Sequence, residues 1–228
     1  MFTTSRIKLL KTRIVIIFIL CISILLGITI FNIYPNIDIN LANIFFNTNS
    51  LFFLKDNWWL AVFFHFYFKI FIIALILIFF IIHIYNKQNK QSLILSFSTV
   101  ILIPIIISLI KKFSVHACPW DLSMYGGSLP LVKWWDKTLI LGKCFPAGHA
   151  GLGLCIMGIS VFYFIQNNKK FKFFYFSGIF LGLTLGIMQQ IRGAHFLSHT
   201  LASIAIASII SECMCLIKIL VSIPPHRT

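Results

Sequence analysis

Six apolar runs dominate the chain. They extend from Ile14 to about Tyr34, Trp59 to Tyr85, Leu93 to Ile110, Gly148 to Ile165, Phe173 to Ile191 and Phe196 to Ile223. Each is close to or beyond the roughly 20 residues that a helix needs to cross about 30 Å of hydrocarbon. Of the 228 residues 59% are hydrophobic and 11% charged, with a mean hydropathy of +0.96, whereas a soluble domain carries about 45–50% apolar and about 25% charged residues. One aqueous core cannot hide that much apolar surface, so a soluble globular enzyme is excluded. The 25 Phe, 12 Gly and 7 Pro also exclude a disordered or collagen-like chain. The expectation is an all-α, six-span transmembrane bundle forming one domain over 1–228, without internal repeats. The first run resembles a signal peptide in position, but it is long and lacks a small-x-small cleavage site, so an uncleaved span is expected.

Nineteen Lys and Arg against five acids give a net charge of +14. In a soluble protein that balance suggests nucleic acid; here the basic residues gather in short segments between apolar runs, where they set topology, and nucleic acid is not the partner. With six spans, the N-terminal Arg6, Lys8, Lys11 and Arg13, then Lys87 and Lys90, Lys169, Lys170 and Lys172, and finally Lys218 and Arg227 fall on one side. The positive-inside rule makes that side the cytoplasm, with both termini there. Residues 111–147 then lie outside, and Pro119, Gly126, Gly127, Pro130 and Pro146 mark them as loop. This loop carries Lys111, Lys112, Lys133, Lys137 and Lys143 against Asp121 and Asp136, and Arg192 stands at the outer end of the fifth span. Topology does not require these cations. They ask for an anionic partner on the outer face, a ligand or lipid headgroups.

Three histidines sit where outer loops meet helices. His149 ends the run Cys144-Phe145-Pro146-Ala147-Gly148-His149, and a Pro-x-Gly turn that opens a helix points unpaired N–H groups outward, as an anion site requires. His195 and His199 lie in Arg192-Gly193-Ala194-His195-Phe196-Leu197-Ser198-His199. Being four apart they would share one helix face, with Arg192 on the same face three residues earlier.

These stretches resemble motifs of the type 2 phosphatidic acid phosphatase superfamily. Pro146-Ala147-Gly148-His149 is similar to the family's Pro-Ser-Gly-His, and Gly193 to His199 is similar to its last motif, in which an Asp follows the His by four residues. Lys111 stands where the family places a Lys ahead of an Arg-Pro pair, here Cys118-Pro119. The motif region covers about residues 111–203; the rest matches in topology. The resemblance implies a metal-independent phosphatase without a cofactor, acting through a phosphohistidine. His195 would attack phosphorus, His149 would protonate the leaving oxygen, and Lys111, Arg192 and the Gly148–His149 amides would hold the phosphate. Positioning and charge neutralisation are what phosphoryl transfer chiefly needs, and histidine moves its proton near neutral pH.

Four positions depart from the family pattern. Cys118 replaces Arg, Ala147 replaces Ser, Gln189 stands six before the nucleophile where the family has Arg, and His199 replaces the orienting Asp. Arg192 is expected to reach the same phosphate from one turn closer. His199 can accept a hydrogen bond from His195 but brings no negative charge, so either catalysis is slower or Asp121 supplies the missing carboxylate from the loop. The Cys-Pro-Trp-Asp-Leu and Gly-Ala-His-Phe-Leu-Ser-His stretches read as a distinct branch of the superfamily.

Cys21, Cys155, Cys213 and Cys215 fall in spans and read as small apolar residues. Cys118 and Cys144 share the outer loop, and three readings stand: a disulfide if the compartment is oxidising, free thiols, or zinc ligands with His116 and His149. His65 and Lys69, four apart in the second span, are expected to pair structurally with Glu212, with a headgroup pocket as the alternative. Trp58, Trp59, Trp134 and Trp135 are expected in the outer interfacial belt. The combined reading is a phosphatase in the bacterial cytoplasmic membrane that acts at the outer face on a phosphorylated lipid. The resemblance implies phosphatidic acid, phosphatidylglycerol phosphate, a prenyl pyrophosphate or lipid A phosphate as candidates. A lipid phosphotransferase and a catalytically impaired anion-binding protein are the alternatives.

Overall fold

In hydrocarbon every backbone N–H and C=O must find a partner within the chain, so long apolar runs have helix as their available form. The computed structural model describes residues 4–48, 51–133, 136 and 142–221. Helix α1 spans Thr4–Ile33 and ends at Pro35, beyond which lies the short α2, Asn36–Asn43. A two-residue hairpin pairs Phe46–Asn47 (β1) with Leu51–Phe52 (β2). The second span opens as a nine-residue π-helix, Trp59–Tyr67, and continues as α3, Phe68–Tyr85. Helix α4, Lys90–Lys112, is capped by the Asn89 side chain, which accepts from the Ser92 N–H at 3.1 Å. The fourth span breaks into α5, Gly148–Leu154, and α6, Met157–Ile165; α7 is Lys170–Ile191 and α8 is Leu197–Val221.

Among the described residues six helical stretches are long and apolar enough to cross a membrane, and the chain is a multi-pass integral membrane protein with an all-α bundle. The second and fourth spans, Trp59–Tyr85 and Gly148–Ile165, have the bounds expected from sequence. The fourth is the innermost, and α4, α7 and α8 pack around it. Glycine permits the approach: a Cβ on Gly153 would stand 2.6 Å from the Gly182 backbone nitrogen of α7.

The first span runs from Ile7 to Phe31, so Arg13 lies inside it instead of ahead of it. Its charge is neutralised across the bundle. Arg13 Nη1 donates to both Glu212 oxygens on α8, at 2.9 and 2.6 Å, while its guanidinium rests 4.3 Å from the Phe164 ring. The expected pairing of Glu212 with His65 and Lys69 is thereby corrected: the carboxylate is saturated by Arg13, and His65 faces the opposite end. Near Arg13, Gln166 donates to Gln88 at 3.4 Å and Lys218 bonds Gln91. These contacts draw the α3–α4 turn, the α6–α7 turn and the last turn of α8 to one face, and the 111–147 loop occupies the other.

Removing one partner of a buried ion pair leaves an uncompensated charge. Glu212→Ala is therefore expected to cost about 3–5 kcal/mol, read as a lower unfolding temperature in detergent. Arg13→Met combined with Glu212→Leu is expected to recover most of the loss.

Candidate active site

The turn between α7 and α8 decides where the motif histidines point. Gly193 takes φ of +75°, a left-handed conformation that Gly adopts without the Cβ penalty, and an added Cβ would strike the Phe52 ring. The Gly193 N–H bonds the Gln190 carbonyl and the Ala194 N–H bonds the Gln189 carbonyl, each at 2.9 Å, closing the last turn of α7. Arg192 thus ends α7, His195 lies in the turn, and His199 lies in the first turn of α8. The three do not share one helix face, as their spacing alone suggests, because the left-handed glycine interrupts the helix between them.

The described part of the 111–147 loop is docked onto this turn. The Trp120 N–H bonds the Gly193 carbonyl at 2.9 Å, and the Trp120 ring meets Lys55 Nζ at 5.2 Å and the Arg192 guanidinium at 5.8 Å. Arg192 Nε donates to the Lys55 carbonyl at 2.8 Å and Nη1 to Gln189 Oε1 at 3.0 Å. Gln189, the departure six before His195, is the residue that holds Arg192 in place. Burial lowers the Arg192 pKa and the nearby Asp56 opposes that shift; a guanidinium stays protonated regardless.

Of the readings open for Cys118 and Cys144, the structure has the disulfide, with S–S at 2.00 Å. Both sulfurs are bonded to each other, so neither offers a thiolate to the zinc set. Beyond Cys144 the Phe145–Pro146 peptide is cis. The Ala147 N–H donates to the His199 carbonyl at 3.1 Å, and the Ser203 hydroxyl donates to the Ala147 carbonyl at 3.0 Å. The Pro146–Gly148 turn is thereby pinned to α8.

These attachments gather cations and imidazoles at one point. The His149 and His195 ring centroids are 6.1 Å apart, and His65, at the end of the π-helix, lies 4.3 Å from His149. A Cβ on Gly148 would stand 3.8 Å from Lys111 Nζ, so the ammonium lies beside the Pro-x-Gly turn. Lys69, Lys111 and Arg192 all act electrostatically on His65 and on His149. His149 Nδ1 and His199 Nδ1 are buried and have no hydrogen-bond partner among the described residues. Such a site is built for an anion with several acceptor oxygens.

His195 is 2% exposed. Its Nδ1 lies 3.3 Å from Cys144 Sγ, and the Cys144 carbonyl faces the rings of both His195 and His199 as an acceptor. His199 packs edge-on to His195 with centroids 5.7 Å apart. Asp121 lies in the short turn Pro119–Asp121, and it is not among the groups that act on His195, which are His199, Lys111, His149 and Cys144. Burial and these neighbouring charges hold the His195 pKa well below its ordinary 6.5, so the ring is neutral at pH 7.

A family model described as the PAP2 superfamily matches residues 91–218. The chain belongs to the PAP2 superfamily. No curated protein and no solved structure matches it. PAP2 members are generally phosphatases that act on phosphate esters, and membership supports a hydrolase. The matched segment holds Lys111, His149, Arg192, His195 and His199. His65 and Lys69 lie outside it, on the second span. Sequence reasoning gave those two a structural role, although an ionisable residue inside a span is by itself a functional signal. Trp134, Trp135 and Lys137 lie outside the described residues.

Asp38 was not singled out in the sequence. From α2 it caps the helix that carries His199: Oδ1 accepts from the Ser198 N–H at 3.1 Å, and Oδ2 accepts from the Ser198 hydroxyl. Burial raises its pKa from 3.8 to about 6, despite bonds from Ser198 and Leu197 that favour the ionised form. A carboxyl whose pKa is raised on folding stabilises the fold below its unfolded value and loses that contribution as pH rises through the folded value. At about 1.4 kcal/mol per unit, the wild type is expected to lose about 2 kcal/mol relative to Asp38→Asn between pH 4 and 6. Chemical unfolding of both proteins across that range checks it.

Proposed function

We propose that the protein is a lipid phosphatase that hydrolyses a phosphomonoester or pyrophosphate of a lipid at the non-cytoplasmic face, through a phosphohistidine. One observation carries this reading: His65, Lys69, Lys111, His149, Arg192 and His195 converge from separate segments, and the charges acting on His65 and His149 are cationic. A phosphate ester supplies the negative charge that this cluster lacks. The lipid chain stays in the bilayer while the headgroup enters at the helix ends.

His195 supplies a neutral ring whose Nδ1 is engaged by Cys144, which leaves the Nε2 lone pair for phosphorus. Attack forms the N–P bond and breaks the bond to the leaving oxygen, which takes a proton from His149, an imidazolium once the bound phosphate dianion offsets the surrounding cations. Water then attacks phosphorus, His149 receives its proton, the N–P bond breaks and phosphate departs. Lys111, Arg192 and the Gly148–His149 amides neutralise the equatorial oxygens throughout. His199 and the Cys144 carbonyl support the His195 ring from behind. The face opposite the site carries the basic turns, which the positive-inside rule assigns to the cytoplasm of a bacterial cell. The disulfide beside the site suits an oxidising outer compartment.

The purified protein is expected to release phosphate from at least one of phosphatidic acid, phosphatidylglycerol phosphate, a prenyl pyrophosphate and lipid A phosphate, with chelator present. His195→Ala is expected to lower the rate by on the order of 10³ or more. Release that chelator abolishes would contradict the metal-independent route, and release only with an alcohol acceptor would assign phosphotransfer to the same site. A folded protein that releases nothing from any of the four would contradict hydrolysis.

A further inference from the structure

We infer that the Cys118–Cys144 disulfide selects the nucleophilic tautomer of His195, so that the site works in its oxidised form and is silenced by reduction. This inference rests on the phosphohistidine reading and adds to it a regulation of the same site.

A neutral imidazole carries one proton, and only the nitrogen without it can attack phosphorus. In many enzymes a carboxylate behind the ring fixes the proton on the rear nitrogen. Here position 199 is histidine, and the atoms behind His195 belong to Cys144, which is fully buried. Its Sγ lies 3.3 Å from His195 Nδ1 and 3.1 Å from the Ala194 carbonyl oxygen. A disulfide sulfur has no hydrogen, so it can only accept. Beside Nδ1 it therefore favours a proton on Nδ1 and leaves a lone pair on Nε2.

Reduction lets the two sulfurs separate to non-bonded distance, while the Trp120 to Gly193 and Ala147 to His199 backbone bonds keep the loop docked. A dithiol such as dithiothreitol delivers two electrons, two protons end on the sulfurs of Cys118 and Cys144, and the reductant closes to its own cyclic disulfide. Cys118 is partly buried and Cys144 fully buried. The new Cys144 S–H has two acceptors in range, the Ala194 carbonyl and His195 Nδ1. Whenever it donates to Nδ1, the ring proton must sit on Nε2, where it blocks attack. The arrangement makes Cys144 a positioning residue that acts through His195.

The test compares Cys118→Ala/Cys144→Ala with Cys118→Ala/Cys144→Ser, and the oxidised with the reduced wild type. Neither double variant can cross-link, but only serine places a hydrogen beside Nδ1. The serine variant and the reduced wild type are expected to lose about tenfold or more in kcat, with KM and vanadate inhibition within about twofold. The alanine variant is expected to keep more activity than the serine variant, although serine is nearer cysteine in shape. Nitrogen NMR of labelled His195 is expected to show the proton on Nδ1 in the oxidised protein and partly on Nε2 in the serine variant. Equal loss in both variants, or higher activity with serine, would reduce the disulfide to a mechanical link and overturn the inference. So would an Nε2 proton in the oxidised wild type. If the oxidised wild type releases no phosphate, the parent reading fails, and the NMR measurement still decides the tautomer.

Discussion

The attachment of the 111–147 loop to the ends of α7 and α8 is the constraint on which the site depends. It is made by the Trp120 to Gly193 and Ala147 to His199 backbone bonds and by the Cys118–Cys144 bridge. Without it, Lys111 at the end of α4 and His149 at the start of α5 would have no fixed relation to His195. Ala117, Leu122 and Tyr125 of the loop also pack with Ala42, Phe52 and Phe196 in a hydrophobic cluster separate from the bundle core. The bundle supplies rigid helix ends and the clamp sets their register.

Charge is distributed with the same economy. Glu212 neutralises Arg13 inside the bundle, Asp38 caps α8, Asp56 acts on Arg192, and Asp136 accepts from the Lys133 N–H at 2.7 Å. The imidazoles of the site are left among lysines and arginine, the condition under which a phosphate is bound strongly and a buried histidine stays neutral. The departures from the family pattern fit together in this light. Gln189 gives up its charge to hold Arg192, and the loss of a carboxylate at position 199 coincides with a carbonyl and a sulfur behind His195.

The spans were legible in the sequence because length and apolarity alone specify them; two of the six had their bounds right to the residue. Arg13 was placed outside its span because a sequence does not show that Glu212, 199 residues away, would meet it. The motif histidines and Lys111 were legible as types and as membrane depth, but their geometry was not. Helical spacing put Arg192, His195 and His199 on one face, and Gly193 in a left-handed conformation breaks that face. The π-helix that presents His65 has no sequence signature in a run of mixed aromatic and aliphatic residues. The Asp38 cap acts across 160 residues, beyond any local capping pattern.

The claim at the centre of this account is that the phosphoryl group passes onto His195. It is tested most directly by brief exposure of the oxidised protein to a radiolabelled lipid phosphate, acid-free quenching and mapping of the label. The account predicts an alkali-stable, acid-labile label on the peptide containing His195 and none on the His149 peptide. Turnover with label on another residue, or with none trapped at any quench time while His195→Ala still turns over, would contradict it.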